Sequence, residues 1–324
     1  PQPAEQVVVP GVGRAGDSAI VAEATGHASS WGRYAFCDIA WPLGQAGASS
    51  TSLSISDFAD FCALTNYPNG SFEEELHQRF PEWRLTYQYR AELAAPSRGF
   101  YNDWTTFFEL DHEASGTTLF AVRGTQGPLD LLQDVNIWAP VAITQFAGFL
   151  GPDLTTAVTR AVFFLSAGLP SIDKDYYREL LDRVRSQVQA NPGRRFYLTG
   201  HSLGGGLAKL VGLETGLVSV TFSSPGLAHT ALTLLSEEAH VDEENLLNEA
   251  NHLSYVVVPE NDVVPQVDQQ VGTEMRIGCR GTMLACHSLQ KTIAELQRGC
   301  YLSGRADIRM RQERRPLAPR AETT

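Results

Sequence analysis

The sequence predicts an α/β fold: a largely parallel sheet with helices on both faces and some antiparallel strands near its N-terminal side. Three observations predict it. From about residue 150 onward, helical and strand-like patterns alternate, the signature of a parallel sheet covered on both sides. The run Arg195-Phe196-Tyr197-Leu198-Thr199-Gly200-His201-Ser202-Leu203-Gly204-Gly205-Gly206 passes from an apolar, aromatic strand through a glycine-flanked turn into a helix, in which Leu203, Leu207, Leu210 and Val211 recur at helical spacing. Residues 101–110 and 117–122 are strand-like and joined by a turn at 111–116, which makes part of the sheet antiparallel.

In chain order, residues 1–30 are rich in Pro, Gly, Ala and Ser without a period and read as a poorly ordered leader. The chain opens at Pro1 rather than methionine and reads as a processed or trimmed form. A single domain is expected over residues 31–303, and its aromatic opening, 31–43, is expected to pack on the body. Helices are expected over 56–64, with Ser56 as N-cap, and over 71–80, where Ser71 and Glu74 have capping-box spacing and Pro81 follows the end. Residues 84–90 read as a further strand. Tyr176, Leu180, Leu181, Val184 and Val188 share one helical face, stopped by Asn191-Pro192-Gly193. Buried strands follow at 218–222 and 253–258. The end, 304–324, holds six arginines and few large apolar residues, and reads as a flexible basic tail.

Composition bounds the partners. A chain of 324 residues, 43% hydrophobic, is long enough for one large α/β domain. A net charge of −12 argues against nucleic acid as the main partner. No apolar run reaches the roughly 18 residues a membrane helix needs. Five cysteines are present: Cys37, Cys62, Cys279, Cys286 and Cys300. Cys279 and Cys286 are close enough to close a small disulfide loop, and the others can supply a second bridge and leave one thiol free. With the sequon Asn69-Gly70-Ser71, this points to secretion or the secretory lumen; the alternative is a cytoplasmic protein peripheral to membranes.

Gly200-His201-Ser202-Leu203-Gly204 fits the G-x-S-x-G nucleophile elbow, in which a serine sits on a strained strand-to-helix turn. Only residues without a Cβ fit at Gly200 and Gly204, where strand and helix crowd together. A serine hydroxyl needs a base, and the base needs an orienting group. In α/β-hydrolases these follow in the order serine, acid, histidine. Asp262, in Pro259-Glu260-Asn261-Asp262-Val263-Val264-Pro265, lies past a strand end, at the sheet edge where sites gather. Of the eight histidines only His287 follows it. Glu260 is a rival acid on the same loop, and His252 is read as a structural or surface residue at a strand start. For the oxyanion, the backbone N–H of Leu203 is one donor, and Thr125, in the loop ending strand 117–122, supplies a second.

Ala121-Val122-Arg123-Gly124-Thr125, Gly148-Phe149, the elbow, Phe222-Ser223-Ser224-Pro225-Gly226 and Asn261-Asp262-Val263-Val264-Pro265 together resemble the class 3 lipases, over residues 58–300. That family is an α/β-hydrolase group that includes fungal triacylglycerol lipases and feruloyl esterases. The resemblance implies Ser202 as nucleophile, Asp262 as acid, His287 as base, and Thr125 with Leu203 as oxyanion hole. Two departures concern the substrate side: Phe146 stands where a histidine often precedes the Gly-Phe pair, and Gly226 where a polar or basic residue is usual. The stretch from Cys279 to Cys300 looks like that of certain protist members.

The family's lid corresponds to residues 126–141, which include Leu129, Leu132, Val135 and Trp138; this apolar density suits a lid or a buried helix. The expected function is hydrolysis of lipid carboxylic esters at a lipid–water interface, with triacylglycerol first and phospholipid, galactolipid or feruloyl esters as alternatives. A non-catalytic hydrolase fold used for binding is the competing class. No cofactor and no metal are expected, since the Cys279, Cys286, His287 spacing fits no common zinc pattern.

Overall fold

The computed structural model describes residues 34–44, 51–90, 106–124, 177–228, 230–231 and 243–301. Its centre is a seven-stranded sheet: β3 (Arg84–Arg90), β4 (Thr106–His112), β5 (Thr117–Val122), β6 (Arg195–His201), β7 (Val218–Phe222), β8 (Ser254–Pro259) and β9 (Thr273–Ile277), in that spatial order. β3, β4 and β5 pair antiparallel, and every pairing from β5 to β9 is parallel. A small antiparallel hairpin, β1 (Ala40–Pro42) with β2 (Ser52–Ser54), lies before them in the chain.

Each central strand is buried along nearly its whole length because both of its faces are covered. Successive side chains enter opposite cores, as strand geometry requires. Leu119 and Ala121 join Phe58, Phe61, Trp41 and Tyr197 in one cluster, while Phe120 and Val122 join Leu198, Leu207 and Leu180 in the other. The first cluster takes in α1 (Ile55–Leu64), α2 (Asn69–Arg79) and the last helix, α7 (Leu289–Tyr301). The second takes in α3 (Arg178–Ala190), α4 (Leu203–Thr215) and the end of α5 (Glu243–Leu253). The helix α6 (Met283–Cys286) is only one turn.

Strands at 84–90, 117–122 and 218–222 have the expected bounds, and the 111–116 turn closes as a 3-10 turn at Glu113–Ser115. Several local expectations are corrected. The N-cap of α1 is Ser54, not Ser56: the Ser54 hydroxyl accepts from the Asp57 N–H, and the Asp57 carboxylate accepts from the Ser54 N–H at 2.8 Å. No Ser71–Glu74 capping box forms, because α2 begins earlier, at Asn69, and Ser71 donates to the Pro68 carbonyl instead. His252 lies in the last turn of α5 rather than opening a strand. Two disulfides are present, Cys279–Cys286 as expected and Cys37–Cys300 across 263 residues, leaving Cys62 as a buried thiol. In a chain-entropy account, closing so long a loop contributes on the order of 5 kcal/mol. The leader, the tail, Tyr176, the Gly148-Phe149 pair and residues 126–141 lie outside the described residues. Among the described residues no helix is long and apolar enough to cross a membrane.

Candidate active site

The candidate site lies at the carboxyl ends of β6 and β8, in the parallel half of the sheet. At the end of β6, Ser202 takes φ 58° and ψ −132°, a conformation an L residue adopts at a cost of about 1–3 kcal/mol. Its N–H donates to the Phe222 carbonyl at 3.0 Å, tying the turn to β7. The flanking glycines permit this geometry. A Cβ on Gly200 would stand 2.4 Å from the Gly204 carbonyl oxygen, and one on Gly204 would stand 2.5 Å from that of Arg123. Helix α4 therefore starts directly against the end of β5. The N–H of Leu203 belongs to its first turn, where no intrahelical acceptor exists.

Asp262 follows β8 by three residues. Asn261 turns the chain with φ 63°, and the Asp262 N–H donates to the Pro259 carbonyl. The Asp262 side chain is fully buried, and its Oδ1 accepts from the Val264 N–H at 3.0 Å. His287 caps the C-terminal end of α6, one residue after the Cys279–Cys286 bridge that pins that turn to the chain after β9. Its Nδ1 lies 3.1 Å from both Asp262 oxygens, and its Nε2 lies 2.8 Å from Ser202 Oγ.

The structure thus brings Ser202, Asp262 and His287 into one hydrogen-bonded chain, with Gly200, Gly204 and Leu203 in the expected positions. Glu260 is exposed on the same loop and takes no part in this chain. Thr125, Leu129, Leu132, Val135 and Trp138 lie outside the described residues. With Nδ1–H donating to Asp262, Nε2 presents a lone pair to the serine hydroxyl, the arrangement needed to take its proton.

Sequence reasoning missed His201. Its Nε2–H donates to the His287 carbonyl at 2.9 Å, and the two rings stand 4.8 Å apart. Burial, reinforced by His287, pushes its pKa down to about 3, so it stays neutral and holds the backbone of His287 without competing for the proton. The one signal available was its place beside Ser202.

The sequence profile described as Lipase (class 3) matches residues 119–271, which include β5 from Leu119 onward, the elbow and the Asp262 loop and end before His287. Over that stretch, just under half of its length, the chain is similar to the class 3 lipases. Within 51 residues it is 49% identical to a Kluyveromyces lactis protein named "Putative lipase ATG15", a match covering 16% of this chain and 10% of that protein. A Mycosarcoma maydis protein of the same name is 38% identical over 71 residues, covering 21% of this chain and 14% of the relative. The matched stretches therefore span only about a tenth of the curated relatives' length. Among solved structures, the Lip2 lipase of Yarrowia lipolytica aligns with a TM-score of 0.40 and 16% identity, over 69% of this chain and 77% of its own. The architecture, a mostly parallel sheet with a serine elbow at its carboxyl edge, is that of the α/β-hydrolases.

Proposed function

We propose that this protein hydrolyses carboxylic esters of lipids through a Ser202-His287-Asp262 triad. The observation that carries the reading is the hydrogen-bonded chain from a buried carboxylate, through His287, to a serine on a strained elbow. Ser202 Oγ attacks the ester carbonyl while His287 Nε2 takes its proton. The imidazolium, held by Asp262, returns that proton to the departing alkoxide, leaving an acyl-serine. Water, deprotonated by His287, then attacks the acyl carbon; the acyl–Oγ bond breaks, His287 returns the proton to Ser202 Oγ, and the fatty acid leaves. In both steps the Leu203 N–H is a donor to the oxyanion, and Thr125 is assigned the second place. Such a donor is typically worth about 10²–10³ in rate.

Triacylglycerol is the proposed substrate, on the apolar character of residues 126–141. Two disulfides favour an oxidising compartment, and the secretory route is proposed for the chain.

The test is a panel of emulsified triacylglycerol, phosphatidylcholine, galactolipid, a feruloyl ester and soluble p-nitrophenyl esters. Turnover of triacylglycerol is expected to be highest and to rise steeply above the solubility limit. Preference for another ester would reassign the substrate, and no turnover across the panel would refute the hydrolase reading.

A further inference from the structure

We infer that Lys209 is a positioning residue, whose ammonium in the serine helix clasps the loop that carries Asp262; this rests on the triad reading above. Lys209 lies seven residues beyond Ser202 in α4 and is completely buried. Its Nζ donates to the Pro225 carbonyl, in the loop after β7, and to Gln270 Oε1 at 3.0 Å. Gln270 extends the clasp: its Nε2 donates to the Ser224 carbonyl at 3.0 Å and to the Pro265 carbonyl at 2.7 Å. Pro265 lies three residues past Asp262. The same loop is fastened internally by Gln266 Nε2, which donates to the Asp262 carbonyl at 2.9 Å. A second set of bonds runs alongside: the Gly226 N–H donates to Val267 and the N–H groups of Leu227 and Ala228 donate to Gln269. One side chain on the nucleophile's helix therefore joins the loops at the carboxyl ends of β7 and β8.

A lysine is a costly residue for this place. An aliphatic side chain would fill the space, whereas an ammonium must be desolvated and fully hydrogen-bonded to be tolerated. Asp268 on the clasped loop and Glu274 on β9 are the acidic groups that act on it, and the Asp268 carboxylate is itself turned to the Thr230 N–H and hydroxyl. Burial pushes the Lys209 pKa down to about 7, the carboxylates opposing. A neutral amine still has two N–H donors, enough for Pro225 and Gln270, so the clasp holds on either side of that pH.

The experiment compares Lys209→Met and Gln270→Leu with the unaltered chain. Two quantities are read: kcat and KM on a soluble p-nitrophenyl ester, and the downfield proton resonance of His287 Nδ1–H, assigned by its loss in His287→Gln. Leu76→Ala, in α2 on the opposite face of the sheet, is the control for loss of stability alone. In both test variants kcat is expected to fall about tenfold with KM within twofold, because small misplacements of catalytic groups act on the chemical step. The resonance is expected to shift or broaden. Leu76→Ala should unfold at lower temperature with both readouts kept. If Lys209→Met does not fold, the partly exposed Gln270 decides the matter. Unchanged kcat and resonance in a folded variant would overturn the inference. Because the resonance reads the His287–Asp262 contact without any turnover, a chain that hydrolysed no ester would fail the ester reading while the clasp was still judged.

Discussion

Alanine at Ser202 is expected to lower kcat for ester hydrolysis by about 10⁵-fold or more, and alanine at His287 by a similar factor, as losses of such residues do when they act as a unit. For the same reason the double variant should be scarcely worse than either single one. The structural cause is direct. With a 2.8 Å contact between Ser202 Oγ and His287 Nε2, removing either atom ends both nucleophilic attack and proton transfer. KM should change little, since neither group is assigned to binding the acyl chain. The fold should survive, because Ser202 is held by its backbone, through the Phe222 carbonyl and the start of α4. Steady-state kinetics with circular dichroism on each variant checks all of this. A residual rate within tenfold of the unaltered chain would contradict it.

Asparagine at Asp262 is expected to cost about 10⁴-fold in kcat, with the protein still folded. The carboxylate accepts from His287 Nδ1 and from the Val264 N–H. An amide in its place keeps one oxygen for Val264 but turns an NH₂ toward Nδ1. His287 would then carry its proton on Nε2, facing the serine hydroxyl with a donor where a base is needed. The loss of the negative charge also removes what stabilises the imidazolium in the transition state. Kinetics at saturating soluble ester measures the effect. A loss below tenfold would assign the orienting role to another group, Glu260 being the nearest in sequence.

Much of the site was legible because its elements are marked locally. Gly200 and Gly204 announce a turn whose backbone admits no Cβ, and the apolar run before them announces a strand buried on both faces. Asp262 was singled out by its place past a strand end and His287 by chain order, and the structure sets the His287 ring between Asp262 and Ser202. Reading the first helix failed by two residues at its cap, since Ser54 and Ser56 both precede an apolar run and only the Asp57 carboxylate, bonded back to Ser54, decides between them. The Cys37–Cys300 pair was open in the sequence because its partners are joined only by the fold.

The elbow helix shows the remaining gap. Leu203, Leu207, Leu210 and Val211 suggest one apolar face, yet from Gly204 to Leu213 every residue of α4 is buried, Lys209 included. A polar position in such a helix reads from sequence as a solvent-facing one. Its partner Gln270 is 61 residues away, a separation at which no local pattern operates. His201 escaped for a related reason: a histidine inside a motif is read as a variable position, and only the fold places its ring against the His287 carbonyl.

The central claim is that Ser202 is an activated nucleophile, and covalent labelling tests it most directly. Unaltered protein is treated with a fluorophosphonate, digested, and the modified peptide sequenced by mass spectrometry. The account predicts one adduct, on Ser202, formed quickly in the unaltered chain and lost in His287→Ala. Labelling that persists in Ser202→Ala, or an adduct on another residue, would contradict it.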